Sequence, residues 1–395
     1  MSDSDFCAII DIDQWRVCAL SRQNQWWYQG YEWKNLQFPT RTIQQQSDLT
    51  DLTPPFLQGL LSIIAFDGRF HGWLADHSVA LHQPSGQWYI WGTAEHVKQI
   101  NALLQTEPPQ RKPVATNPEH TVQYSMTQEQ YETAVHRTQE AIRDGNVYQI
   151  NLAHQVGPFT INNPMDTWLN LTETNPSHHA CFWKSPSEVL LCNSPELFLS
   201  FDQDGGISSL PIKGTQTDLG NPKAHFALWD SVKEQAELTM IVDMMRNDIS
   251  SVAEYGSVYT EHRRLRRCGD LLHAEQKVLG QRRQDLSILQ AVHTCFPPAS
   301  VTGAPKESAL SYISSFEPVS RGWYTGSFGF IDTRGYSTWN VIIRTLQGHL
   351  DQQGIMTAYL NIGAGIVYDS NAQSEWHETI AKGRAIERTL KKRLT

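Results

Sequence analysis

No stretch of this chain keeps a regular strand–helix–strand rhythm, and that excludes more folds than any single motif does. Strand-like runs instead come in hairpins. Residues 80–91 read as two strands joined by Pro84-Ser85-Gly86. Residues 328–331 and 338–346 read as another pair, joined through Asp332-Thr333-Arg334-Gly335. Helical patterns lie between them. Thr127-x-x-Gln130 forms a capping box, and Tyr131, Ala134, Val135, Thr138, Ala141 and Ile142 then share one face until Gly145 stops the helix. A strand over 147–152 follows. The pattern predicts a long helix over 227–249 and a short one over 308–316 after Pro305. A C-terminal helix is expected from about 370, carrying Ile386, Leu390 and Leu394. This mixture predicts an α/β (α+β) enzyme rather than a dinucleotide-binding fold.

The chain has 395 residues and a net charge of -9, so a basic nucleic-acid surface is not expected. Seven of its 13 tryptophans precede residue 107, and they read as sheet and core packing. Prolines 108, 109, 113 and 118 mark a connection over 108–120. The expected organisation is an N-terminal strand region over 1–107, that connection, and a core region over 121–395. The six cysteines form no Cys-x-x-Cys pair, which speaks against zinc and for a reducing compartment. The acidic N-terminus does not resemble a secretory signal, and no apolar run is long enough to span a membrane. A cytoplasmic protein without membrane partners is therefore expected.

Several residue patterns carry chemistry, each weakly by itself. Glu234 and Glu237 share one expected helix face, and Glu375 and Glu378 share another. Such oxygen donors suit Mg²⁺, although by spacing alone they also read as solvated acidic faces. Gly363-Ala364-Gly365 and Thr302-Gly303-Ala304-Pro305-Lys306 could offer backbone N–H groups to an anion, or could be plain turns. Lys213, in Pro211-Ile212-Lys213-Gly214-Thr215, reads either as an exposed lysine beside a turn or as a partly desolvated nucleophile. Glu196 is a possible general acid or a solvated strand-end carboxylate. Arg344 reads as closing an apolar strand, where it would fork onto a carboxylate or make a structural ion pair. His273 reads as a hydrogen-bonded core histidine.

Taken in order, these segments resemble the chorismate-binding family of anthranilate, aminodeoxychorismate, isochorismate and salicylate synthases. The resemblance rests on Gly145-Asn146-Val147-Tyr148-Gln149-Ile150-Asn151-Leu152, Asn193-Ser194-Pro195-Glu196, Pro211 to Thr215, and Ala236-Glu237 through Arg246-Asn247-Asp248. It continues through Ser300 to Lys306, Arg321-Gly322-Trp323-Tyr324-Thr325-Gly326, Ile343-Arg344-Thr345, Gly363 to Val367, and Glu375-Trp376-His377-Glu378-Thr379-Ile380-Ala381-Lys382. It implies an antiparallel β-sandwich flanked by helices, with chorismate as substrate. It implies Mg²⁺ held directly by Glu237 and Glu378 and through water by Glu234 and Glu375. Substrate contacts are implied for Gly214, Thr215, Thr302, Tyr324, Arg344, Lys382 and the backbone of Gly363, Ala364 and Gly365.

Two positions separate the branches. The water-adding members carry a lysine base where this chain has Gln149. Anthranilate synthases usually carry alanine at the position of Lys213, whereas bacterial aminodeoxychorismate synthases carry lysine. The resemblance thus implies aminodeoxychorismate synthase component I, with Lys213 as covalent nucleophile and Glu196 as acid–base group. A glutamine amidotransferase subunit would supply ammonia. Anthranilate synthase component I is the alternative, and a non-catalytic scaffold a lesser one. Departures include Gln216-Thr217-Asp218 after the lysine motif and His178-His179 in the stretch that lines a tryptophan pocket in relatives.

Overall fold

The computed structural model describes residues 7–12, 14–20, 28–30, 32, 54–56, 58–106, 123–217, 222–268 and 271–390. Among them, antiparallel strands form sheets of eleven, nine and three members. The eleven-stranded sheet has Gln149–Ile161, Met356–Ile366, Thr345–Leu350, Glu188–Ser194 and His179–Lys184 at its centre. The nine-stranded sheet is centred on Leu197–Phe201, Ser337–Asn340, Ser327–Asp332 and Gly59–Ile64. Ile212–Thr217, Leu271–Glu275 and Arg264–Cys268 form the small sheet.

The two large sheets pack face to face. One apolar cluster draws Ala8, Ile10, Trp183 and Leu190 from the larger sheet and Leu61, Ile63, Trp73, Phe328 and Phe330 from the other. Helices cover the outer faces. Val232–Ser250 and Ile288–Cys295 pack on the nine-stranded sheet through Leu238, Met245, Ile249 and Val292. Pro164–Thr174 and Ala372–Leu390 cover one part of the larger sheet through Trp168, Ile386 and Leu390. Gln128–Arg143 and Lys306–Phe316 cover another around Ile150, Leu152 and Ala364. The antiparallel sandwich flanked by helices is thus present. Trp73, Trp168, Trp183 and Trp339 are fully buried, each hiding about 150–250 Å² of aromatic surface.

Strands from the first hundred residues enter both sheets. Cys7–Ile12 pairs with His179–Lys184, and Gly59–Ile64 pairs with Ser327–Asp332. The 108–120 connection lies outside the described residues. No helix among the described residues is long and apolar enough to cross a membrane.

The chain repeatedly leaves one sheet for another. Glu188–Ser194 belongs to the eleven-stranded sheet and Leu197–Phe201 to the nine-stranded one, with Pro195-Glu196 between them. Ser337–Asn340 and Thr345–Leu350 are divided in the same way by Val341-Ile342-Ile343-Arg344. Gly206–Leu210 passes to the three-stranded sheet at Pro211, just before Lys213.

Several elements differ from the sequence reading. The expected strand over 338–346 is two strands in two sheets, so Arg344 ends no strand. The helix over 227–249 is two helices, Pro222–Asp230 and Val232–Ser250, because Ser231 caps the second through Glu234 N–H. The strand expected over 147–152 begins at Gln149 and runs to Ile161. Gly363 and Gly365 lie within a strand rather than in a turn after one. The capping box at Thr127, the hairpin His77–His82 with Gln87–Trp91, and the helix after Pro305 match the reading. Leu394 lies outside the described residues, whereas Ile386 and Leu390 are buried.

Candidate active site

Lys213 sits beside a backbone irregularity at Gly214. Ile212–Thr217 pairs with Leu271–Glu275, and the register shifts between Lys213 and Gln216. Gly214 sits in that irregularity at φ +66°, a left-handed conformation that costs little only without a Cβ. A Cβ there would also run into Leu228 and stand 3.0 Å from Glu234 Oε2. The Lys213 amine lies 4.0 Å from Glu237 Oε2, and the lysine side chain is 16% exposed. It also lies over Gly365: a Cβ there would stand 3.2 Å from Lys213 Nζ and 2.6 Å from Gln149 Nε2. Strand and lysine can approach this closely because Gly365 has no side chain.

That glycine strand is open on one flank. Met356–Ile366 pairs with Thr345–Leu350 only as far as Leu360 opposite Leu346. Its pairing with Gln149–Ile161 continues to Ile366 opposite Ile150. Residues 363–365 therefore pass the point where the neighbouring strand has turned away at Arg344. Arg344 itself holds φ +52°. For a side-chain-bearing residue this costs about 1 kcal/mol or more, and such strain clusters at functional sites.

Arg344 donates to His273 Nε2 at 3.3 Å, while His273 Nδ1 donates to the Gly214 carbonyl at 2.9 Å. Burial, then the Arg344 guanidinium, pushes the His273 pKa down to about 3. The neutral ring thus links the crossing at Arg344 to the lysine motif. Glu196 is buried on the other crossing. Burial raises its pKa to about 7, although Ser300 and the positive charges of Lys213, Arg344 and Lys382 oppose the rise. A carboxyl group in that range exchanges a proton near neutrality, as a general acid requires.

Lys382 donates to the Gly363 carbonyl at 2.9 Å and pairs with Glu378 at 2.8 Å. Tyr324 is buried, and its hydroxyl would stand 3.1 Å from a Gly363 Cβ. Burial raises its pKa to about 12, so it remains a neutral donor. Ala364 packs its side chain into the apolar cluster with Ile150 and Leu152, leaving its backbone for any substrate contact. Thr302 is fully buried and donates to the Pro298 carbonyl at 2.9 Å. Thr215 continues the lysine strand, but its side chain lies outside the described residues. Lys306 turns away to Asp248 at 2.9 Å and the Cys295 carbonyl at 2.7 Å, so it points at no anion site.

The four glutamates behave unequally. Glu237 faces Lys213, and Glu378 is bonded to Lys382. Glu375 is buried and accepts from Ser370 Oγ at 2.8 Å, while Glu234 lies beside Gly214. All four are oxygen donors of the kind a hard divalent ion takes, and Glu237 and Glu378 face cationic side chains. Among the described residues, no three acidic, histidine or cysteine side chains form a metal-holding group, so a site here would draw two direct carboxylates at most.

The family model for chorismate binding enzymes matches residues 51–388. The chain belongs to the chorismate-binding enzyme family. It is 32% identical over 303 residues to an anthranilate synthase component 1 of Haloarcula marismortui, a match spanning 75% of this chain and 61% of that one. It is 30% identical over 384 residues to the aminodeoxychorismate synthase component 1 of Escherichia coli K12, spanning 90% and 83%. The anthranilate synthase component I structure from Streptococcus pneumoniae TIGR4 shares the fold at TM-score 0.76 and 23% identity, over 99% of this chain and 93% of that one. Two reaction names at similar identity fix the family and leave the reaction open.

In this chorismate-binding enzyme, three supporting residues escaped the sequence reading. Ser300 hydrogen-bonds Glu196. Arg321 is buried, bonds Glu317 at 2.6 and 2.8 Å, and donates to the Val301 and Asn151 carbonyls. Glu317 also accepts from the Ala153 N–H at 2.9 Å. This pair ties the loop before Tyr324 to the strand carrying Gln149. A Glu and an Arg four apart in an otherwise apolar and glycine-rich stretch were the available signal.

Proposed function

We propose that this chain is an aminodeoxychorismate synthase component I. It takes chorismate and ammonia to 4-amino-4-deoxychorismate, the precursor of p-aminobenzoate for folate synthesis. Ammonia comes from a glutamine amidotransferase subunit. The observation that carries the reading is the Lys213 amine lying over Gly365 and beside Glu237, with the near-neutral Glu196 in charge contact.

The Lys213 amine attacks C2 of chorismate, both ring double bonds shift, and the 4-hydroxyl leaves as water with the proton of Glu196. Ammonia then adds at C4, both double bonds shift back, and the C2–nitrogen bond to Lys213 breaks. The balance is chorismate plus ammonia giving aminodeoxychorismate plus water. Arg344, the Tyr324 hydroxyl and the glycine-strand backbone supply donors for the substrate's carboxylates. Glu237 and Glu378 would hold Mg²⁺, with Glu234 and Glu375 acting through water. The bound ion would neutralise the ring carboxylate.

Anthranilate synthase component I is the second reading, favoured by the identity to the Haloarcula relative. Purified protein with chorismate, Mg²⁺ and ammonium separates the two. The proposal expects a product that yields p-aminobenzoate only after an aminodeoxychorismate lyase is added, and expects turnover to stop in chelator. Anthranilate fluorescence without any lyase would overturn it, and undiminished turnover in chelator would remove the metal site.

A further inference from the structure

Cys181 and Cys192 stand directly opposite each other on neighbouring antiparallel strands of the larger sheet. Facing residues in such a pair have Cα atoms about 4.5–5.5 Å apart, inside the roughly 4.4–6.8 Å span that a disulfide bridges. Both side chains are fully buried, and Asn340 Nδ2 lies 3.7 Å from each sulfur. We propose that Cys181 and Cys192 form a reversible redox site, closing to a cross-strand disulfide under a small uncharged oxidant such as hydrogen peroxide.

The two thiols are not equivalent. Burial raises the Cys192 pKa, but hydrogen bonds from Cys181 and Thr345 outweigh it and leave the group below its ordinary value. Cys181 is pushed well above its own, by burial and by Cys192. Cys192 therefore attacks peroxide as thiolate, giving a sulfenic acid and hydroxide. Cys181 then attacks that sulfur, the S–S bond forms, and water leaves. In sum, two thiols are oxidised to one disulfide while one peroxide is reduced to two waters.

The site also touches the active centre's framework. Cys192 Sγ donates to the Ile343 carbonyl at 3.8 Å, one residue before Arg344. The next residue's N–H, from Asn193, donates to the Arg344 carbonyl at 3.2 Å. Oxidation removes the thiol hydrogen that Cys192 offers to this crossing.

Cys295 supplies the internal comparison. It is equally buried, but its sulfur bonds the Asp248 carbonyl at 3.4 Å rather than a second thiol. The test treats the intact native protein with hydrogen peroxide, removes the peroxide, unfolds the protein with the alkylating agent already present and digests it with trypsin. Cleavage after Lys184 separates the two cysteines, so the bond appears as a linked peptide pair that dithiothreitol releases. The expected result is that link with Cys295 still a thiol, and no link in Cys181→Ala. If both thiols remain fully alkylatable, if the link forms only in denaturant, or if Cys295 oxidises as fast, the proposal is wrong. None of these readouts depends on which reaction the enzyme catalyses.

Discussion

Two lysines approach the same glycine strand, and they are held very differently. Lys382 bonds the Gly363 carbonyl and Glu378 at 2.9 and 2.8 Å. Lys213 lies over Gly365 with its carboxylate neighbour at 4.0 Å, beyond hydrogen-bond range. A lysine fixed by two short bonds acts as a placed positive charge. An amine with a looser ion pair keeps its lone pair available once deprotonated. Under the proposed function, this difference fits binding at Lys382 and chemistry at Lys213.

The largest expected effect follows directly. Lys213→Ala should lower kcat about a thousandfold, whereas Lys382→Ala should mainly raise KM, by about tenfold to a hundredfold. Steady-state kinetics of both variants checks this, and equal losses in the same parameter would erase the distinction.

Next comes Glu196→Gln, which should cost about a hundredfold in kcat. Glu196 holds its proton up to about pH 7, above its ordinary value of 4.5. The acid form is thus present below pH 7 and lost as pH rises through it. Wild-type kcat should fall along that limb, and the variant should lack it. The same shift means that folded-state stability from this group is full below about pH 4.5 and declines towards pH 7. Thermal melts of wild type and Glu196→Gln should therefore diverge in that window, with the variant favoured at the higher pH. Parallel melts would contradict the burial argument.

The smallest effect separates the glycines. Gly365→Ala places a methyl group against Lys213 and Gln149 and should cost about tenfold in kcat through misplacement of the amine. Gly363→Ala meets the Tyr324 hydroxyl and the Leu152 carbonyl instead, and should act on KM. The same kinetic split in both variants would mean that the strand simply distorts.

The sequence showed its local structure more clearly than its crossings. Alternation and turn residues made the hairpin at Pro84-Ser85-Gly86 legible, and the capping box fixed the start of the helix at Gln128. The run Val341-Ile342-Ile343 is as β-branched and apolar as any strand, so nothing local announces that it passes between sheets. That crossing gives Arg344 its φ +52° and removes it from strand geometry. Ser231-x-x-Glu234 did carry a cap signal that splits the long helix. Lys213, Glu196 and Arg344 were visible as residue types, but their proximity depends on three separate sheet changes. Spacing along the chain encodes none of these. The partnership of Gln149 with Gly365 likewise depends on register, which only the pairing of two long strands sets.

Lys213 as nucleophile is most directly tested by mass analysis of the protein incubated with chorismate and Mg²⁺ in the absence of ammonia. A covalent adduct confined to the peptide bearing Lys213, absent in Lys213→Ala and discharged by adding ammonium, is the predicted result. Turnover on later addition of ammonium, with no adduct ever detected at Lys213 and with Lys213→Ala equally active, would contradict it.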